Sequence, residues 1–110
     1  MIKPGAVVIV DFPGAMGIKR RPVVIVSTPA YHAARPDVIL AVITTQTTGA
    51  TGPTDYLLQD WSAAGLRHPS AFRSYLATLP ATNVIAELGQ LSDRDWQEVQ
   101  ARLRVALAVT

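Results

Sequence analysis

Three near-continuous apolar runs, Ala6 to Val10, Val23 to Val26 and Val38 to Ile43, dominate the first half of the chain. Val and Ile favour extended backbone, because two heavy atoms on Cβ restrict χ1 and pack well on a pleated surface. Runs with no polar alternate imply strands buried on both faces. In an all-β chain of 110 residues, that points to a small curled barrel with a second covering layer, either a helix or a partner subunit. Each run is far shorter than the ~18 to 20 apolar residues of a membrane span, so no transmembrane segment is expected. A length prior of roughly 100 to 200 residues per domain makes residues 1–110 one domain.

Turn residues divide the rest. Ala6 to Asp11 is a first strand closed by Phe12-Pro13-Gly14, and Pro22 to Ser27 is a second. Between them, Gly14 to Arg20 is expected as a flexible loop leading into the consecutive bases Lys19, Arg20 and Arg21. Val38 to Thr45 is a third strand, followed by the Gly/Thr/Pro loop Gln46 to Pro53. Tyr56 to Leu58, Ala71 to Leu79 and Val84 to Leu88 complete the strands, with a turn through Gly65 and Pro69. Ser92 caps a final helix, with Asp93 and Asp95 in its first turn where the dipole favours anions. Trp96, Val99, Leu103 and Ala106/Leu107 form one apolar stripe at spacings of three and four, so the helix should lie on the barrel as a lid.

Composition removes several chemistries. Cysteine is absent, which excludes disulfides, thiolate zinc sites and cysteine nucleophiles. His32 and His68 stand apart in expected loops and the first Glu is Glu87, so no metal-ligand spacing exists and no cofactor is expected. Gly14-x-x-Gly17 is not followed by a helix, as a phosphate loop would be. Ser27, Ser62, Ser70 and Ser74 lack the nucleophile-elbow motif. The N-terminus has none of the long apolar core of a secretory signal, so a cytoplasmic location is expected. Through Ser74, seven bases face four acids; from Tyr75 on, three face four. Eight of the ten bases are Arg, whose planar fork matches phosphate.

Two segments remain. Lys19-Arg20-Arg21-Pro22 enters a strand, and Thr44-Thr45-Gln46-Thr47-Thr48 leaves one. Taken singly, each fits a solvated strand end. Together they supply a cationic fork with hydroxyl and amide donors, the equipment for holding a phosphodiester and its developing charge.

Five pieces in order carry a resemblance: Lys3-Pro4-Gly5-x-Val7-Val8-x-Val10-Asp11-Phe12-Pro13; Lys19-Arg20-Arg21-Pro22-Val23-Val24-x-Val26-Ser27; Val42-Ile43-Thr44-Thr45; Gly65-Leu66-x-x-Pro69-Ser70; and Leu88-Gly89-Gln90-Leu91-Ser92 before the helix. This pattern, over nearly the whole chain, resembles the MazF/PemK toxins of bacterial toxin–antitoxin modules. The resemblance implies a mostly β fold, an SH3-like barrel with a C-terminal helix. It also implies a homodimer that cuts single-stranded mRNA and a cognate antitoxin that fills the RNA groove. By the same resemblance Arg21 and Thr44 are the catalytic pair, Asp11 lies close to the site, and Gln46 and Ser70 lie in segments that approach RNA; Lys19, Arg20, Thr45 and Arg67 are expected to bind the RNA beside them. The chain departs from the family pattern in its short Phe12–Lys19 connection, which holds no carboxylate, and in the bulky run Phe72-Arg73-Ser74-Tyr75. An alternative on the same fold is a CcdB-like gyrase poison. Such poisons resemble one another in an aromatic residue near the C-terminus, where this chain has Val105 to Thr110. A third reading is a degenerate barrel that only binds.

Overall fold

The computed structural model describes residues 2–109, so Met1 and the last residue of the Val105–Thr110 tail lie outside the described residues. The strands are β1 (Ala6–Gly14), β2 (Gly17–Ile25), β3 (Asp37–Thr44), β4 (Asp55–Leu57), β5 (Ala71–Pro80) and β6 (Val84–Gln90). The helices are α1 (Pro29–Ala34) and α2 (Asp93–Ala106). All strands pair antiparallel in the order β4-β5-β3-β2-β1-β6.

This sheet has to curl. β5 and β6 stand four places apart in that order, which would separate them by roughly 19 Å in a flat sheet at about 4.8 Å per strand. Only the 3-10 turn Ala81–Asn83 joins them, and four Cα steps reach at most about 14 Å. The sheet therefore rolls up until the end of β5 comes round to β1. The Asn83 amide, which donates to the Asp11 carbonyl at 3.0 Å, ties that seam.

Rolling produces the two buried faces that the Val/Ile runs require. Ala6, Val8, Val10, Val23, Ile25, Val38, Leu40 and Leu79 form the inner core. Their alternates Val7, Val24, Ala41 and Ile43, with Phe72, pack outward against Leu58, Leu66, Leu91 and Val99. The small barrel with a C-terminal helix is as expected.

α2 follows the expected stripe through Trp96, Val99 and Leu103, all in the outer core. Ala106 and Leu107 do not join it: Leu107 caps the helix and both are exposed. Asp95 lies in the first turn as expected, and it is fully buried there. Its carboxylate accepts from the Tyr56 hydroxyl at 2.7 Å and from the Gln59 and Asp60 N–H groups at 3.1 and 2.8 Å. Ser92 caps the helix by accepting from the Asp95 N–H at 3.2 Å. Burial, and then the bond to Asp95, push the Tyr56 phenol well above its ordinary pKa. Gly65 is needed where it stands: its φ is +88°, and a Cβ there would lie 2.3 Å from the Leu88 carbonyl oxygen on β6.

Two local expectations fail. Gly14 to Arg20 is not a flexible loop. Gly14 and Gly17 pair across the two-residue connection Ala15-Met16, and the ladder continues through Phe12↔Lys19, Asp11↔Arg20 and Val10↔Arg21. The hairpin tip is solvated on both sides, so it extends as strand without the apolar alternation that would have marked it. α1 was also unforeseen, and His32 lies in it rather than in a loop. The helix has six residues and buries none, so no periodicity announces it, although Thr28 as N-cap and Pro29 at N1 are a start signal.

Candidate active site

Successive side chains of a strand point to opposite faces. On β2, Val23 and Ile25 belong to the inner core, and the same face continues toward the hairpin tip as Arg21 and Lys19. On β3, Val38 and Leu40 are inner, and that face continues as Val42 and Thr44. The β2–β3 ladder pairs Val23 with Val42 and ends there, next to Pro22, which has no N–H to offer a second neighbour. The same register carried two residues on sets Arg21 across from Thr44. The strands part at this point, and the inner face opens into a cleft of about 710 Å³.

Arg21 and Thr44 both line that cleft, together with Lys19, Arg73, Phe12 and Tyr75. Arg21 is exposed and makes none of the ion pairs found among the described residues. The Thr44 hydroxyl accepts the Gln46 N–H at 3.1 Å, which orients it and leaves its proton free to donate. Asp55, on the cleft wall, stands 3.7 Å from the Arg73 guanidinium. Three cations against one carboxylate make the cleft positive, suited to a polyanion.

A smaller depression of about 480 Å³ adjoins it where β2 and β3 separate. Arg20, Thr45 and Gln46 border this depression, and it shares Lys19, Arg21 and Thr44 with the larger cleft. The fold thus gathers six of the nine residues expected at the site. The other three lie elsewhere. Asp11 faces away from Arg21 across the ribbon and pairs with Arg20 at 3.4 Å, so its contact with the site runs through that arginine. Arg67 is exposed on the Trp61–Pro69 turn and lines neither opening. Ser70 is buried, its hydroxyl donated to the His68 carbonyl at 2.8 Å.

Arg73 and Tyr75 were not foreseen at the site. Their signal was the alternation of a base and an aromatic in a strand that otherwise reads apolar. Neither histidine lines an opening. His32 hydrogen-bonds through Nε2 to the Ser27 hydroxyl, which also accepts the Ile39 N–H at 3.0 Å, a strut between α1 and β3. Among the described residues, no group of three or more His, Asp and Glu is placed to hold a metal.

A family model described as PemK-like, MazF-like toxin of type II toxin–antitoxin system matches residues 3–107. The chain belongs to this family. No curated protein matches the sequence of this PemK/MazF-like toxin. Among solved structures, it is similar to an endoribonuclease in complex with its cognate antitoxin from a mycobacterial species, with 21% identity and a TM-score of 0.80 over 98% of this chain and 96% of that one. The Mycobacterium tuberculosis toxin MazF-mt6 matches at 21% identity and TM-score 0.77, covering 96% and 98% of the two chains. A MazE–MazF complex from Deinococcus radiodurans matches at 19% identity and TM-score 0.72, covering 98% and 96%. At such identities the likeness is one of fold, and it is to MazF-type toxins, so the gyrase-poison alternative is not favoured. No described helix is long and apolar enough to cross a membrane.

Proposed function

We propose that this PemK/MazF-family toxin is a metal-independent endoribonuclease that cuts single-stranded mRNA at selected sequences and so stops translation. The observation that carries this reading is the meeting of Arg21 and Thr44, across the parted ends of β2 and β3, in one positive cleft.

RNA supplies its own nucleophile. The 2′-oxygen attacks the adjacent phosphorus and the bond to O5′ breaks, leaving a 2′,3′-cyclic phosphate and a 5′-hydroxyl. One proton leaves O2′ and one arrives at O5′, so the protein has only to hold the phosphate in line and stabilise the charge on its oxygens. Arg21 answers that need with two parallel N–H donors on one rigid cation. Thr44, its lone pair engaged by the Gln46 N–H, donates its proton to a phosphate oxygen and does not act as a nucleophile. Lys19, Arg20, Thr45 and Gln46 extend the grip along the strand. Splayed single-stranded bases offer their edges to such a cleft, whereas an A-form duplex hides them.

The active unit is a homodimer of single toxin domains spanning residues 1–110, working in the cytoplasm where mRNA is. A cognate antitoxin silences it with a segment disordered when free, acidic or apolar, that folds onto the groove near Arg20 and Arg21. The test is a long RNA incubated with purified protein in EDTA. Discrete fragments ending in cyclic phosphate are expected, and a 2′-deoxy residue at the cut position should bind and stay intact. Cutting of that deoxy substrate would sink the mechanism.

A further inference from the structure

The larger cleft has an aromatic wall that the chemistry above does not use. Tyr75 is 62% exposed, although a tyrosine ring is the kind of surface a barrel normally covers. It stands edge-to-face against Phe12, ring centroids 6.3 Å apart at 62°. β1 and β5 are three places apart in the sheet, so only the curl brings these rings together. A bulge aims Tyr75. Phe72 pairs with Ile43 and Leu76 with Ala41, so Arg73, Ser74 and Tyr75 all stand against Val42 alone. Such bulges re-aim side chains beside functional sites. The Ser74 hydroxyl, donated to the Thr54 carbonyl at 2.8 Å, holds the bulged backbone in place.

We propose that Tyr75, braced by Phe12, is a stacking platform for one unpaired nucleobase next to the phosphate held by Arg21 and Thr44. The proposal rests on the endoribonuclease reading and adds a base-binding subsite to it. Single-stranded nucleic acids are held by positive grooves that track the backbone and aromatic rings that take the bases, and this cleft has both: Lys19, Arg21 and Arg73 beside Tyr75 and Phe12. A braced ring loses little freedom when a base lands on it, so most of the stacking energy survives as affinity. Met16, 90% exposed at the hairpin tip, lines the same cleft and gives the base a soft, adaptable second contact.

The test uses the full-length protein. Wild type is first run on a long transcript to locate its fastest cut. A short fluorescein-labelled RNA spanning that position, all-ribo for kinetics and 2′-deoxy at the cut for binding, is then given to wild type, Tyr75→Ala, Tyr75→Leu and Tyr75→Phe. Tyr75→Ala and Tyr75→Leu should weaken binding and raise KM by about 5- to 150-fold, the worth of one base stacked on one ring, with kcat much less affected. Tyr75→Phe should restore most of the affinity, because it keeps the ring. Tyr75→Leu performing as well as Tyr75→Phe, or Tyr75→Ala binding within twofold of wild type, overturns the platform while leaving the nuclease intact. Light scattering that finds Tyr75→Ala dissociated while wild type is a dimer makes the tyrosine an interface residue and also overturns it. A wild type that does not cut the transcript overturns both readings.

Discussion

Asp95→Asn should be among the most damaging single-atom changes available in this chain. The native carboxylate is fully buried and accepts three hydrogen bonds, from the Tyr56 hydroxyl, the Gln59 N–H and the Asp60 N–H. In the variant the amide oxygen can take the place of Oδ1 and keep the first two, now as neutral bonds at about half their former strength. The amide nitrogen then faces the Asp60 N–H, donor against donor, and a buried N–H is left unsatisfied at a cost of about 1–3 kcal/mol. Some of this is offset because a neutral amide is cheaper to bury. The net loss should be about 3 kcal/mol, roughly 12 °C or more in Tm for a domain near 100 residues. Asp93, exposed in the same first turn, offers only its interaction with the helix dipole, so Asp93→Asn should cost under about 1 kcal/mol. Urea titrations of both variants at pH 7, with unchanged m-values, measure the difference. If Asp95→Asn costs no more than Asp93→Asn, the buried carboxylate is not what fastens α2 to the β4 segment.

Four further outcomes follow from the site and its supports. Arg21→Ala should slow RNA cleavage at least ~100-fold, consistent with the loss of about 3–4 kcal/mol of transition-state stabilisation, and Arg21→Lys should recover little because an ammonium has no bidentate fork. Full activity in Arg21→Ala would remove it from the mechanism. Thr44→Val, nearly isosteric, should impair turnover while Tm stays near wild type, read by single-turnover cleavage and thermal melts. The Tyr56 phenol is held protonated in the fold, so its share of stability is complete below the unfolded value of about 10 and is lost as pH rises from there toward the higher folded value; the alkaline fall in urea midpoint should shrink in Tyr56→Phe. Light scattering at micromolar concentration should find a dimer with a total interface above about 1,000 Å², and a monomer would count against the proposed assembly.

Much of the architecture was legible because it is local. Unbroken Val/Ile runs state that both faces of the central strands are covered, and Ser92 with Trp96, Val99 and Leu103 states where α2 starts and which side it buries. Neither inference needs to know what lies across the core. The Gly14–Arg20 segment reads as a loop for the same reason in reverse. Its strand character comes from pairing with β1, and nothing in its own exposed side chains records that pairing. The site was legible as two motifs, Lys19-Arg20-Arg21-Pro22 and Thr44-Thr45-Gln46, since charge, hydroxyl and a missing N–H are written in residue type.

What those motifs do together is a matter of register and curl. The pleat sends Arg21 into the cleft and its neighbour Arg20 to Asp11, a division invisible in a run of consecutive bases. The rolled sheet brings Phe12 to Tyr75 past the two strands between them, and the β5 bulge turns Arg73 and Tyr75 toward Arg21 and Thr44. The sequence by itself therefore determined the central strands, the C-terminal helix and which residue types could hold a phosphate. Tertiary structure alone decided which of them share one cleft, because strand pairing and closure depend on contacts between residues dozens of positions apart, and those contacts set the face on which each side chain emerges.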